Sequence, residues 1–213
     1  QVTLDLGQAY TKVECPECSC FYDTAVEADV QRHTEWHQAH CAPIVVKKSF
    51  FSSNEAYPER DGRAVVKVTA QHSTGWTTAQ DVFRRRARPA LGEHLSAPEA
   101  GTAWLCVEGH KVVGLAFVET LERAVHRCFT VNGAEYQAAP DRVACVGVRV
   151  VWVEADSRRR RVATTLLNAV LQHAVAGKVL TKDDIAFAAP TPAGMAFAEG
   201  FRGDGGYLVY LPA

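Results

Sequence analysis

Val143-Ala144-Cys145-Val146-Gly147-Val148-Arg149-Val150-Val151-Trp152-Val153, then Glu154-Ala155-Asp156-Ser157, then Arg158-Arg159-Arg160-Arg161 and Val162-Ala163-Thr164-Thr165-Leu166-Leu167, is the stretch on which the reading of this chain turns. The first run is rich in β-branched and aromatic residues and almost free of charge, as a strand buried on both faces would be. The last part repeats apolar residues at helical spacing through Val170 and Leu171. Between them lie four consecutive arginines. The start of a helix already carries about half a positive charge on its unpaired N–H groups. Guanidiniums crowded there repel one another unless an anion sits among them. A pyrophosphate would satisfy both, accepting the N–H groups while the guanidiniums hold the outer phosphates. A solvated basic turn or a nucleic-acid contact is the competing reading of the arginines alone.

Working outward, the chain has 213 residues with 47% hydrophobic content, enough for one substantial core and a small module. A net charge of −1 argues against wholesale binding to nucleic acid or a membrane surface and confines any polyanion contact to the local patches Arg84-Arg85-Arg86 and Arg158 to Arg161. There is no apolar run of membrane-spanning length and no secretory signal pattern, so the expectation is an intracellular protein. Because the first residue is Gln1 rather than Met, a piece of a longer protein is expected.

The seven cysteines fit reduced thiols and a metal better than disulfides. Cys15-Pro16-Glu17-Cys18 is followed, after fourteen intervening residues, by His33-Thr34-Glu35-Trp36-His37. Two thiolates on a tight knuckle and two imidazoles one helical turn apart can converge tetrahedrally on Zn²⁺. Cys15, Cys18, His33 and His37 are therefore the expected ligands, with Cys20, His40 and Cys41 as competitors. Four protein ligands make the metal structural. Phe21 and Tyr22 are expected on a short strand, and Ala28, Val30 and Trp36 along the helix that carries the histidines. A single finger whose helix opens Glu27-Ala28-Asp29 is a poor reader of DNA bases, so protein contact is expected and direct sequence-specific DNA binding is not.

Elsewhere, Arg63 to Thr69 reads as a first strand of the main domain after the Asp61-Gly62 turn. Thr77-Thr78 is expected to cap a helix running past Phe83 to Leu91, broken at Pro89, with its arginines solvated. Trp104–Val107 and Lys111–Val118 read as a hairpin about Glu108-Gly109-His110. A continued strand, a loop and a turn at Pro140-Asp141 are expected before the opening stretch, with His126 an ordinary histidine. Ile185 to Pro190 reads as a short buried strand, Pro192 to Phe197 as a helix, and Tyr207 to Leu211 as a closing strand.

Arg158-x-x-Arg161-Val162-Ala163 resembles the pyrophosphate loop of GNAT-type N-acetyltransferases, with Arg161 where that pattern usually has glycine. Together with the finger and with Ile185-Ala186-Phe187-x-x-Pro190-Thr191-Pro192-x-Gly194 ahead of Leu208-Val209-Tyr210, it makes the chain resemble the cohesin acetyltransferases. The resemblance implies a zinc finger over residues 1–45 and, over 46–213, an α/β (α+β) GNAT-type fold with a mixed, mostly antiparallel sheet. It implies acetyl-CoA as cosubstrate and structural Zn²⁺. It also implies a protein-lysine N-acetyltransferase acting on the SMC-type ATPase head of cohesin, in the nucleus on chromatin, with no membrane partner. Val151, Trp152 and Val153 would pair with the pantetheine arm, Arg159, Arg160, Arg161, Val162, Ala163 and Thr164 would take the pyrophosphate, and Thr191, Pro192 and Ala193 would close over the cofactor. Where the family has a serine, a glutamate and an aspartate, this chain has Arg149, Asn168 and Ala189, so the catalytic residue is left open: Asp183, Asp184, Glu154 or a water are the alternatives. A catalytically degenerate zinc-finger chromatin adaptor and a small-molecule acetyltransferase are the competing functions.

Overall fold

The computed structural model of the chain describes residues 11–16, 18, 20–71, 73–92, 95–121, 124–131, 134–137, 142–144, 146–203 and 206–211. They divide into two compact units, residues 1–43 and 44–213. In the first, β1 (Lys12–Glu14) pairs antiparallel with β2 (Phe21–Asp23), and α1 (Glu27–Cys41) follows. The side chain of Asp29 accepts from the backbone N–H of Asp23 at 2.9 Å, fastening the first turn of α1 to β2. Glu27 and Asp29 also suit the positive end of the helix. Phe21 and Tyr22 lie on β2 as expected, but Phe21 is 72% exposed and Trp36 40%, so this unit has little apolar core to hold it.

In the second unit, α2 (Lys48–Ser52), β3 (Glu55–Pro58) and β4 (Arg63–Thr69) precede a helical segment made of α3 (Ser73–Val82), a π-helical turn over Phe83–Ala87 and α4 (Arg88–Leu91). Then come β5 (Thr102–Glu108), β6 (Lys111–Thr120), β7 (Ala124–Val131), β8 (Ala134–Gln137), β9 (Arg142–Val143) and β10 (Val146–Val153). The chain closes with α5 (Val162–His173), β11 (Ile185–Ala188), α6 (Pro192–Arg202) and β12 (Tyr207–Tyr210). The sheet runs β3-β4-β5-β6-β10-β11-β12-β7-β8, with β9 on β7. Among the described residues only β10 with β11 and β11 with β12 are parallel. This is the mixed, mostly antiparallel sheet that the motifs imply.

The opening stretch is interrupted. Arg142–Val143 pairs with β7, and the long strand starts at Val146. The register of β10 against β6 shifts between Val148 and Val150, a β-bulge at Arg149. An uninterrupted strand would turn Val146, Val148, Val150 and Trp152 to one face. Instead Val146 and Val148 pack with α5 through Leu166, Leu167 and Val170, whereas Val150 and Trp152 pack with Val82, Phe83 and Phe117 on the other face. The bulge therefore re-aims the strand between two cores, and hydrophobicity alone could not reveal that, because both faces are apolar.

Four other expectations change. The helix begins at Ser73, and Thr78, mid-helix, donates to the Thr74 carbonyl at 3.0 Å instead of capping. Pro89 does not break it: the π turn shifts the hydrogen bonding, and Pro89 falls in the first turn of α4, where a missing N–H costs little. The arginines there are not simply solvated either. Arg85 pairs with Asp81 at 3.1 Å, and Arg86, 14% exposed, lies 3.7 Å from Glu154 at the end of β10. The strand continues only to Thr120, where β6 ends, and β7 then pairs with β12, placing His126 opposite Val209. Pro140 and Asp141 lie outside the described residues.

The hairpin is as read, with Glu108 opposite Lys111 across Gly109-His110 and Gly109 at φ 61. No helix among the described residues is long and apolar enough to cross a membrane.

Candidate functional site

β10 and β11 pair at only three positions, Val146 with Ile185, Gly147 with Ala186 and Val148 with Phe187. Beyond them β11 ends at Ala188 and the chain turns through Ala189, at φ 31, and Pro190 into α6. Meanwhile β10 continues to Val153 against β6. The two strands part, leaving the far edge of Val150 to Val153 without a strand partner among the described residues. A cavity of about 260 Å³ fills the gap, with Arg149, Val150 and Val151 on one wall and Ala189, Pro190 and Thr191 on the other. Such an edge can pair with an extended amide-bearing chain through backbone groups alone. Trp152 is buried in the core, so it can contribute only its backbone.

The arginine loop follows the free end of β10. After β10 a 3-10 turn over Ala155–Ser157 leads to Arg158, and α5 starts at Val162. Arg159 and Arg161 both have φ 62, the left-handed region, and no side chain caps the first turn of α5. Alternating hands of successive residues turn backbone N–H groups to a common point, and with the free N–H groups of Val162, Ala163 and Thr164 this makes an anion cradle. The conformation is expensive for non-glycine residues, and the loop is braced from outside. Buried Arg63 donates from Nη1 to the Arg160 carbonyl at 3.2 Å and is itself paired with Asp61. The same Arg63 guanidinium holds the Asp61 carboxyl below its usual range.

The four guanidiniums are not equivalent. Arg160 turns away to a bidentate pair with Glu108, at 2.6 and 3.2 Å. Arg158 donates from Nε to the Val153 carbonyl at 3.2 Å. Among the described residues Arg159 and Arg161 make no ion pair and are exposed. The expected phosphate site thus narrows to these two side chains and the backbone around them, with Arg160 contributing its brace. Across the gap Thr191 caps α6, its hydroxyl accepting from Gly194 N–H at 3.2 Å, with Pro192 and Ala193 in the first turn.

At the positions where the resemblance implies a serine and two acids, Arg149 forms the bulge, Asn168 is exposed on α5 beside Thr164, Lys182 and Phe197, and Ala189 lines the cavity wall. The alternatives are otherwise engaged. Asp183 pairs with Arg202, Asp184 accepts from both the N–H and the hydroxyl of Thr181 at 2.8 and 2.7 Å, and Glu154 accepts from Ala155 N–H and faces Arg86. A carboxylate that sequence reading passed over is Glu119, near the end of β6, whose Oε1 accepts from the Tyr210 hydroxyl at 2.7 Å. The signal was present: it is the first charge after the apolar run Val112 to Val118.

In the first unit the backbone N–H of Cys15 donates to the Cys20 carbonyl at 3.0 Å, forming the knuckle. The ligand atoms of Cys15, Cys18 and His37 lie within 4.8 Å of one another, and His33 Nε2 is 3.4 Å from Cys18 Sγ. His33 also stacks on Tyr22 at 4.0 Å, which fixes its ring. The structure thus gathers Cys15, Cys18 and His37 as a group that could hold a divalent cation, with His33 beside Cys18 but outside the mutually close set. Desolvation is the chief cause that pushes the Cys18 thiol up to about 11, and a bound cation would reverse it. Cys20 is not part of the cluster among the described residues, and the His40 side chain lies outside them.

Residues 142–210 match the ESCO1/2 acetyl-transferase family. Among curated proteins the chain is similar to N-acetyltransferase eco of Drosophila melanogaster, 27% identical over 99% of this chain and 20% of that protein. It is also similar to N-acetyltransferase ESCO2 of Danio rerio, 29% identical over 99% of this chain and 37% of that protein. The chain thus spans well under half the length of these relatives. Among solved structures it resembles the xEco2 acetyltransferase domain bound to a K105-CoA conjugate, with TM-score 0.67 and 25% identity over 75% of this chain and 98% of that one.

Proposed function

We propose that this chain belongs with the ESCO/Eco N-acetyltransferases to which it is similar and transfers the acetyl group of acetyl-CoA to lysines on the SMC-type ATPase head of cohesin. In this reading it thereby establishes sister-chromatid cohesion, works in the nucleus on chromatin, needs no membrane, and uses its finger for structure or protein contact rather than to read DNA sequence. The observation that carries the reading is the pairing of β10 with β11, which stops at Val148, together with the cradle at the open end of the gap. The pyrophosphate would lie against Arg159, Arg161 and the N–H groups of Val162, Ala163 and Thr164. The arm would run back along Val153, Trp152 and Val151, beneath Thr191, Pro192 and Ala193. Zn²⁺ on Cys15, Cys18, His33 and His37 would supply folding free energy to a unit with little core, on the order of 10 kcal/mol or more for such sites.

A lysine with pKa about 10.4 must lose a proton before it attacks a thioester, which costs about 4.6 kcal/mol at pH 7. Acetylation of a recombinant SMC-type head fragment, read by mass spectrometry, tests the function. Acetyl-lysine on the fragment that depends on acetyl-CoA supports it. A second reading, a catalytically degenerate zinc-finger chromatin adaptor, is favoured by Arg149, Asn168 and Ala189 standing where the family has its serine and two acids. That adaptor would hold zinc and leave the fragment unmodified, while a small-molecule enzyme would acetylate free amines without any protein partner.

A further inference from the structure

We propose that Glu119 is the base that takes the proton from the acceptor amine, filling the role that Arg149, Asn168 and Ala189 cannot; the inference rests on the acetyl-transfer reading above. With phosphates at the start of α5, the arm runs back along β10 and its acyl end arrives at the bulge, at the closed end of the gap. Glu119 is the β6 partner of Gly147, two residues before that bulge. Arg149 lines both the cofactor cavity and an adjoining hollow of about 460 Å³, whose wall includes Glu119, Thr120 and Glu99. The hollow is the side from which an acceptor can reach the acyl end while the arm occupies the other.

The carboxylate is held rather than loose. Tyr210, 1% exposed, donates its hydroxyl to Glu119 Oε1, leaving Oε2 with no partner among the described residues. The phenol can lie there because residue 147 is glycine: a Cβ would stand 2.6 Å from Tyr210 Cζ and 2.8 Å from its hydroxyl oxygen. The charged groups lining the hollow are Glu99 and Arg149, and Glu99 adds negative charge that favours an approaching ammonium. In the step, the ammonium gives one proton to Glu119, directly or through one water. The neutral nitrogen then forms the N–C bond to the thioester carbonyl carbon, and the C–S bond breaks with its electron pair on sulfur. The second nitrogen proton goes to that sulfur, and Glu119 later returns its own proton to solvent, so that one proton is released overall.

The test is Glu119→Gln in the full chain, with Tyr210→Phe beside it, assayed on the SMC-type head fragment with acetyl-CoA affinity measured in parallel. Acetyl-CoA affinity should be unchanged in both. For Glu119→Gln, kcat at pH 7 should fall tenfold or more, on the order of 100-fold. The deficit should shrink as pH rises toward the lysine pKa, where the amine is neutral without help. Tyr210→Phe, which keeps the carboxylate and nearly the same volume, should lower kcat less and leave KM for the fragment alone. It also serves if Glu119→Gln does not fold. A loss of kcat under tenfold in Glu119→Gln, or a deficit independent of pH, overturns the role of Glu119 while leaving the transferase reading intact. A wild-type chain that binds acetyl-CoA without turnover overturns both.

Discussion

Arg159 and Arg161 share a left-handed backbone that glycine adopts freely and arginine does not. At this scale the sequence was legible in kind but not in number: a run of four arginines announces an anion site, yet nothing in it says that Glu108 takes Arg160 and the Val153 carbonyl takes Arg158. Those partners come from elsewhere in the chain, Glu108 being fifty-two residues away. Replacing Arg159 or Arg161 with alanine should therefore weaken acetyl-CoA binding about tenfold each, the worth of a charge-assisted hydrogen bond. Calorimetric titration should show a smaller loss for Arg160→Ala, which removes a surface pair. Asp61→Asn should act through Arg63, leaving a buried guanidinium unpaired behind the Arg160 carbonyl, and should cost about 1 kcal/mol of stability because Asp61 is half exposed. Its carboxyl is held below the ordinary range, so the pair's contribution is fully present above about pH 4 and is lost only as the pH falls through that depressed value. Melting temperature followed from pH 7 to 5 should not move on its account. Cys106 is the converse case, pushed up to about 12 chiefly by desolvation, and its thiol should resist alkylation at pH 8 until the unit unfolds.

At the scale of elements, the central strand was readable because its apolar run is almost free of charge, and the long helix because its apolar residues recur at helical spacing. The bulge was not, because a strand apolar on both faces carries no alternation for a bulge to break. The π turn at Phe83–Ala87 was hidden for a related reason: Pro89 signals a stop only where the helix is regular. Two glycines mark how tightly the elements close. A Cβ on Gly114 would stand 2.7 Å from Val162 Cγ1, which would push the start of α5 away from β6. Gly114→Ala should thus cost about 1–3 kcal/mol in chemical denaturation and also weaken acetyl-CoA binding, since the displaced turn is the cradle itself. Gly109, whose added Cβ would meet nothing, should tolerate alanine far better in packing and pay only for its positive φ.

For the whole molecule, the parting of β10 from β11 beyond Val148 is what opens a cleft in a mostly antiparallel sheet, and the same chain carries a second compact unit with a cation-ready cluster. The finger was legible from ligand spacing alone, and the acetyltransferase fold from motif order. The partings and bracings that make the site arise from contacts between residues far apart in the sequence, such as Arg160 with Glu108 and Arg63 with the Arg160 carbonyl. Removing metal with a chelator should unfold residues 1–43, seen as loss of hydrogen-exchange protection in α1, and leave the cooperative melt of residues 44–213 in place. The most direct test of the cleft is hydrogen exchange on the intact chain with and without acetyl-CoA. Protection should appear together at the backbone N–H groups of the Val150–Val153 edge and of the first turn of α5, Val162 to Thr164. Binding that protects neither segment, or protects one without the other, would contradict a cofactor lying between the parted strands with its phosphates on the arginine turn.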